Sequence, residues 1–265
     1  MYEFDYRRPG SLSAALDAIR EAPEGQFLAG GQTLLPTLKQ RLASPSDLLD
    51  LAGIDELKGI SVDGDTVAIG AMTCHADVAA SADVQAKIPA LAALADDIGD
   101  RQVRNRGTIG GSIANNDPAA DYPAACLALG ATIVTSAREI AADDFFTGLF
   151  ETALDEGELI TSVRFPAPAK AAYTKFKNPA SRYAIVGVVV AETADGVRVA
   201  VTGAGADGVF RVPEMETALA GDFSAAALEG IAIPPDDLNS DIHASAEYRA
   251  HLIGVMARRA VAACG

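Results

Sequence analysis

Two short stretches, Ala29-Gly30-Gly31-Gln32-Thr33 and Thr108-Ile109-Gly110-Gly111-Ser112, constrain this chain more than any other feature. Each pairs adjacent glycines with a hydroxyl side chain where an apolar segment turns. Glycine lacks a Cβ and reaches positive φ without strain, so successive backbone N–H groups can curl around an anion at close range. A Ser or Thr hydroxyl adds a donor. A helix opening at such a turn, as predicted for residues 33–41, adds the partial positive charge of its N-terminus. Two such turns, far apart in sequence, can converge on one diphosphate; the alternative is a pair of ordinary tight turns between strand and helix. Neither is a standard nucleotide fingerprint: there is no G-x-x-x-x-G-K-[ST], and Gly107, Gly110 and Gly111 do not follow G-x-G-x-x-G.

A chain of 265 residues with 49% hydrophobic residues can bury a proper core in one large domain or two to three smaller ones. The longest apolar runs, such as 184–191, are too short to span a bilayer, and the N-terminus lacks the pattern of a signal peptide, so a cytoplasmic location is the expectation. Cys74, Cys126 and Cys264 stand far apart without C-x-x-C, and His75, His243 and His251 lack metal-ligand spacing. No metal is therefore expected on this chain. A net charge of −15 argues against nucleic-acid binding. Against that background Arg101, Arg104 and Arg106, just ahead of the second glycine stretch, form either a local counter-field for a diphosphate or a solvated basic face.

Periodicity divides the chain into three regions. Residues 1–57 read as helix (11–21), strand (26–28), glycine turn, helix (33–41) and strand (47–51), a small parallel βαβ unit. Residues 58–166 switch to short strands with hairpin signals, as at Asp63-Gly64-Asp65, interrupted by alanine-rich helices at 76–80 and 89–98. The proline-rich 165–168 stretch marks a boundary. Residues 170–265 read as strands at 173–177, 185–192 and 197–202, then a mostly helical tail ending in 246–263.

The formal G-x-G-x-x-G at Gly203-Ala204-Gly205-Ala206-Asp207-Gly208 follows a strand but precedes the extended Val209 to Val212, so it reads as a turn leaving an antiparallel sheet. His75 reads as a polar residue at a helix start. Asp96-Asp97 and Asp143-Asp144 read as helix flanks and caps rather than an acid/base dyad, and no catalytic residue is assigned. Asp117 and Asp121 either accept hydrogen bonds from sugar hydroxyls or cap the helix expected near Asp121.

The stretches 29–36, 69–73 and 104–114 with Asp117-Pro118-Ala119-Ala120-Asp121 closely resemble the FAD-binding medium subunit of molybdenum hydroxylases, especially the aerobic carbon monoxide dehydrogenase type. The likeness extends to 144–148, 157–160 and 244–249, and so covers nearly the whole chain. It implies an α/β (α+β) fold: two α/β subdomains of the vanillyl-alcohol oxidase and p-cresol methylhydroxylase FAD-binding type, at 1–57 and 58–166, and a C-terminal antiparallel sheet with helices at 170–265. By the same resemblance Ala29, Gly30, Gly31, Gln32, Thr33 and Leu34, with Thr108, Ile109, Gly110, Gly111 and Ser112, hold the FAD diphosphate through backbone N–H groups and the two threonine hydroxyls. Asp121 contacts the cofactor's sugar-like portion, Ile160 packs on the flavin or adenine, and Lys177 and Tyr183 lie near the isoalloxazine. Gln32-Thr33 replaces the commoner His-Ser or Thr-Asp pair.

The resemblance also implies partners: a large subunit with the molybdenum cofactor, a small subunit with two [2Fe-2S] clusters, and an external acceptor, whether NAD, a quinone or oxygen, in a dimer of heterotrimers. The alternatives are a self-contained FAD-dependent oxidase and a flavin-free scaffold. Gly111→Val is expected to abolish FAD binding by filling the space of the diphosphate and resisting any positive φ required there.

Overall fold

The computed structural model describes residues 1–264. β1 (Asp5–Arg7), α1 (Leu12–Glu21), β2 (Gly25–Leu28), α2 (Leu34–Lys39) and β3 (Asp47–Asp50) build a three-stranded sheet with β3 in the centre and both pairings parallel. α1 begins where the Ser11 hydroxyl accepts from the Ala14 N–H, and it buries Ala15 in a small core with Leu51, Ile54 and Leu57. The expected βαβ unit is present. β1 lies outside the expectation, because three residues carry no period.

The middle region runs β4 (Ile60–Asp63), β5 (Thr66–Gly70), α3 (His75–Ala80), α4 (Ala82–Lys87), α5 (Pro89–Asp96), α6 (Arg101–Arg104), α7 (Ile109–Asn115), α8 (Tyr122–Ala128), β6 (Thr132–Thr135), β7 (Glu139–Ala141), α9 (Ala142–Phe145), β8 (Phe146–Gly148), β9 (Glu151–Thr152) and β10 (Ile160–Pro166). An antiparallel sheet in the order β4-β5-β10-β6-β7 backs the helices. Every residue of α8 is buried. The helix α7 differs from the sequence reading, since Gly110 and Gly111 lie inside it despite glycine's poor propensity. It forms because the Thr108 hydroxyl caps it, accepting from the Gly111 N–H at 3.1 Å. The second glycine stretch is thus a helix start rather than a loop.

β11 (Lys170–Lys177), β12 (Ala184–Thr193), β13 (Gly196–Gly205) and β14 (Gly208–Arg211) pair antiparallel in sequence order, followed by α10 (Pro213–Gly221) and α11 (Ala246–Ala263). Gly205 pairs with Gly208 across a hairpin, so the formal G-x-G-x-x-G is an antiparallel turn. The tail is less helical than expected, with only a 3-10 turn at Ala226–Leu228 between α10 and α11. β12 is apolar on both faces: Val188 and Val190 join the core under α11, while Val189 and Ala191 join the core of the middle region. This shared strand couples the two regions. Among the described residues no helix is long and apolar enough to cross a membrane.

Candidate cofactor-binding site

The two glycine stretches meet. Gly30 lies so close to the segment before α7 that a Cβ there would stand 2.0 Å from the Arg106 carbonyl oxygen and 2.8 Å from the Gly107 Cα. A Cβ on Gly110 would stand 2.5 Å from the Ala71 Cβ. Close approach of backbones, not turn geometry, therefore requires glycine at both positions. Gly31 alone of the four paired glycines takes a left-handed φ, +71°. Gly111 does not, which removes one of the two expected reasons for its being glycine; a Cβ there would meet Thr108 Oγ1 at 3.0 Å and the Ala29 Cβ at 3.2 Å.

The stretches differ in what they offer an anion. Among the described residues, no intramolecular hydrogen bond engages the backbone N–H of Gly30, Gly31, Gln32, Thr33 or Leu34, where α2 begins. Five consecutive donors are free at one turn. In the second stretch four of the five backbone donors are consumed: Ile109 N–H donates to the Thr73 carbonyl at 3.2 Å, Gly110 to Ala71 at 2.8 Å, Gly111 to the Thr108 hydroxyl and Ser112 to the Thr108 carbonyl at 3.0 Å. What remains there is the Thr108 backbone N–H, the hydroxyl proton of Thr108 and the hydroxyl of Ser112. Thr108→Ala is expected to remove the cap and cost about 1 kcal/mol of stability, read as a lowered midpoint in urea denaturation.

Both stretches line a cleft of about 500 Å³, a volume within the usual range for cofactor sites. Ala29, Leu34, Asp121, Ile160 and Tyr183 line it as well. Gln32 folds its amide back onto the Gly30 carbonyl at 3.3 Å, and Thr33 makes no side-chain cap on α2. Ile160 is buried at the start of β10. Tyr183 is about half exposed, its phenol pushed upward by partial burial and the Asp117 and Asp121 carboxylates.

Asp121 does not cap α8. Its buried carboxylate takes the Lys175 ammonium at 2.9 Å and the Tyr173 hydroxyl, and burial still raises its pKa above the ordinary carboxylate range. Asp117 accepts from the Ala119 N–H at 2.8 Å and is likewise raised by burial. Tyr173, Lys175 and Lys177 share one face of β11 by the period of two. The residue at the cleft, however, is Lys175. Lys177, assigned to the cofactor by resemblance, pairs with Asp97 outside the lining, beyond a register shift between Phe176 and Lys177. The Tyr-x-Lys-x-Lys alternation carried the signal for Lys175, but only the fold shows which lysine lies deeper.

The arginine run does not supply the counter-field. Arg104 turns back to the Ile98 and Gly99 carbonyls at 3.1 and 3.2 Å and to Asp96 at 3.5 Å, while Arg101 and Arg106 are exposed residues outside the lining. Arg101 and Arg104 belong to the single turn of α6, whereas Arg106 follows it and lines a separate, neighbouring hollow with Ala29, Gly30 and Thr108. Among the described residues the basic side chains lining the cleft are Lys175 and Arg182. His75 also lines it, as the first residue of α3 and without a capping bond. Asp143, read as part of a helix cap, instead ties α9 to the third sheet through Arg198 at 2.8 Å and Arg211 at 3.1 Å.

The donor set and the glycine approach fit FAD: an unpaired N–H array suits a diphosphate, and the cleft combines apolar walls with a buried lysine and carboxylates. Known proteins agree with that fit. Residues 2–168 match the family described as the FAD binding domain in molybdopterin dehydrogenase, and residues 171–264 the CO dehydrogenase flavoprotein C-terminal domain. The carbon monoxide dehydrogenase medium chain of Hydrogenophaga pseudoflava is 38% identical over 278 residues, covering 97% of this chain and 96% of that one. The nicotine 6-hydroxylase medium subunit of Paenarthrobacter nicotinovorans is 38% identical over 275 residues, covering 98% and 96%. The solved carbon monoxide dehydrogenase of Hydrogenophaga pseudoflava lacking the Mo-pyranopterin moiety superposes with a TM-score of 0.89 at 37% identity, over 99% of this chain and 97% of the matched chain. The chain therefore belongs to the FAD-binding flavoprotein subunits of the molybdenum hydroxylases and is of the carbon monoxide dehydrogenase medium-chain type.

Proposed function

We propose that this subunit takes electrons from the [2Fe-2S] clusters of a small partner subunit and passes them through FAD to an external acceptor, while a molybdenum-containing large subunit acts on the substrate. The observation that carries this reading is the array of free N–H groups from Gly30 to Leu34 at the wall of the cleft. In this reading Ala29, Gly30, Gly31, Gln32, Thr33 and Leu34 hold the diphosphate by backbone donors, and Thr108 and Ser112 contribute hydroxyls from the facing helix. Ile109, Gly110 and Gly111 seat the two segments against each other. Asp121 orients a cofactor hydroxyl, Ile160 offers an apolar wall, Lys175 brings positive charge and Tyr183 covers the ring. Lys177 braces the cleft through Asp97. Bound FAD supplies an isoalloxazine that stores and releases an electron pair.

Residues 1–57 and 58–166 serve as the two FAD-binding subdomains and 170–265 as the domain that closes the cleft, within a cytoplasmic dimer of heterotrimers using NAD, a quinone or oxygen as acceptor. The test is anaerobic reduction of the assembled complex. Substrate is expected to bleach the flavin when all three subunits are present, and to leave it oxidised when the FAD-loaded chain stands alone. Bleaching of the lone chain by substrate contradicts the division of labour and makes this a self-contained oxidase.

A further inference from the structure

His75 occupies a place in this cleft that its position at a helix start does not explain. Its side chain is buried, at 4% exposure, and Nδ1 has no hydrogen-bond partner among the described residues. Its backbone N–H donates to the Gly107 carbonyl at 3.0 Å. Its other ring nitrogen presses on the same residue: a Cβ on Gly107 would lie 2.6 Å from Nε2. Gly107 in turn belongs to the segment packed on Gly30: a Cβ on Gly30 would meet the Arg106 carbonyl oxygen at 2.0 Å and the Gly107 Cα at 2.8 Å. His75, Gly107 and Gly30 thus form a stack that ends at the free N–H groups of residues 30–34.

The surroundings of the ring favour its neutral form. Arg104 faces it from α6, with Asp96 of α5 taken up by that arginine. Tyr122 of α8 lies with its ring centroid 5.3 Å away and its hydroxyl buried without a partner. Cys74 and Asp77 belong to the start of α3 itself, and Cys126 of α8 is a buried neutral thiol. None of these groups forms an ion pair with the imidazole. Burial and Arg104 depress its pKa from 6.5 to about 4.

We propose that His75 is a positioning residue that keeps the anion cradle in shape only while its ring is neutral. The proposal rests on the assignment of this cleft to FAD. A second proton would place an unpaired cation in an apolar slot beside Arg104, and the ring would relieve that cost by leaving Gly107, freeing Gly107 from Gly30. Because the folded-state pKa is depressed, the stabilisation by the neutral ring is complete above pH 6.5 and is lost as pH falls through about 4.

The experiment follows release of FAD from the loaded full-length chain by flavin fluorescence between neutral and acid pH, with ¹⁵N-histidine NMR on the same samples. Asp117 and Asp121 also line the cleft and titrate above the ordinary carboxylate range, and His75→Gln leaves their contribution in place. Wild type is expected to lose FAD in step with protonation of one late-titrating ring, and His75→Gln to retain it about one pH unit further into acid. Superimposable release curves overturn the proposal, as does a ring that stays neutral after the flavin has left. If His75→Gln fails to fold, the wild-type NMR titration decides alone. Failure of wild type to bind FAD at neutral pH overturns the cofactor assignment as well, whereas normal binding with pH-matched variants overturns only the role of His75.

Discussion

Gly30→Ala is expected to weaken FAD binding by about 3 kcal/mol, roughly a hundredfold in Kd, while Gly111→Ala costs less than tenfold. The methyl group on residue 30 would stand 2.0 Å from a backbone oxygen, that of Arg106, which cannot swing aside as a flexible side chain can. The turn must move off the 106–107 segment, and the free N–H groups of residues 30–34 lose their common aim. Overpacking of this kind also costs about 1–3 kcal/mol of stability. At Gly111 the neighbours are the Thr108 hydroxyl at 3.0 Å and a methyl at 3.2 Å, and a few tenths of an ångström of give admits alanine. Gly111→Val is different, since its branches project into the cleft that Gly111 lines, and loss of FAD is expected there too. Isothermal titration with FAD separates the three variants. Equal affinities for Gly30→Ala and wild type would remove the close approach from the account.

Lys175→Met is expected to destabilise the chain by about 3–5 kcal/mol, because it strands the buried Asp121 carboxylate. With 2% of the Lys175 side chain and 5% of the Asp121 side chain exposed, water cannot replace the lost partner. Asp121 is already held above the ordinary carboxylate range by burial, so the folded chain binds this proton more readily than the unfolded chain. Stability linked to this group therefore declines as pH rises from the ordinary carboxylate pKa through the raised one. Removing Lys175 raises that pKa further, so the variant's deficit should shrink in acid. Adding Asp121→Asn to Lys175→Met should recover much of the loss in urea titrations at pH 7. A deficit independent of pH, with no recovery in the double variant, contradicts the buried-pair account.

Much of this site was legible in the sequence because its signals are local. Glycine beside glycine at 30–31 and 110–111, and a hydroxyl at Thr108, are short-range statements about backbone conformation and capping, and the structure places both stretches on one cleft. The hairpin at 63–65 was equally local. What local pattern could not supply was depth and direction. Lys175 and Lys177 share a strand face, and only the end of β11 and its register shift decide which ammonium is buried with Asp121. The direction of Arg101 and Arg104 depends on where the single turn of α6 begins, set by the Asp100 side chain accepting from the Val103 N–H. α7 runs against glycine's helix propensity, so tertiary packing of Gly110 on Ala71 had to override it. The buttress behind Gly107 joins residues 32 positions apart and leaves no trace in any window of sequence.

In the proposed function the turn at residues 30–34 binds the diphosphate of FAD. Titrating the full-length chain with FAD under equilibrium dialysis, with circular dichroism on the same samples, tests it directly. One FAD retained per chain is expected, and its loss in Gly30→Ala with the fold intact. A folded wild-type chain that retains no flavin, or a Gly30→Ala variant that retains it stoichiometrically, would contradict it.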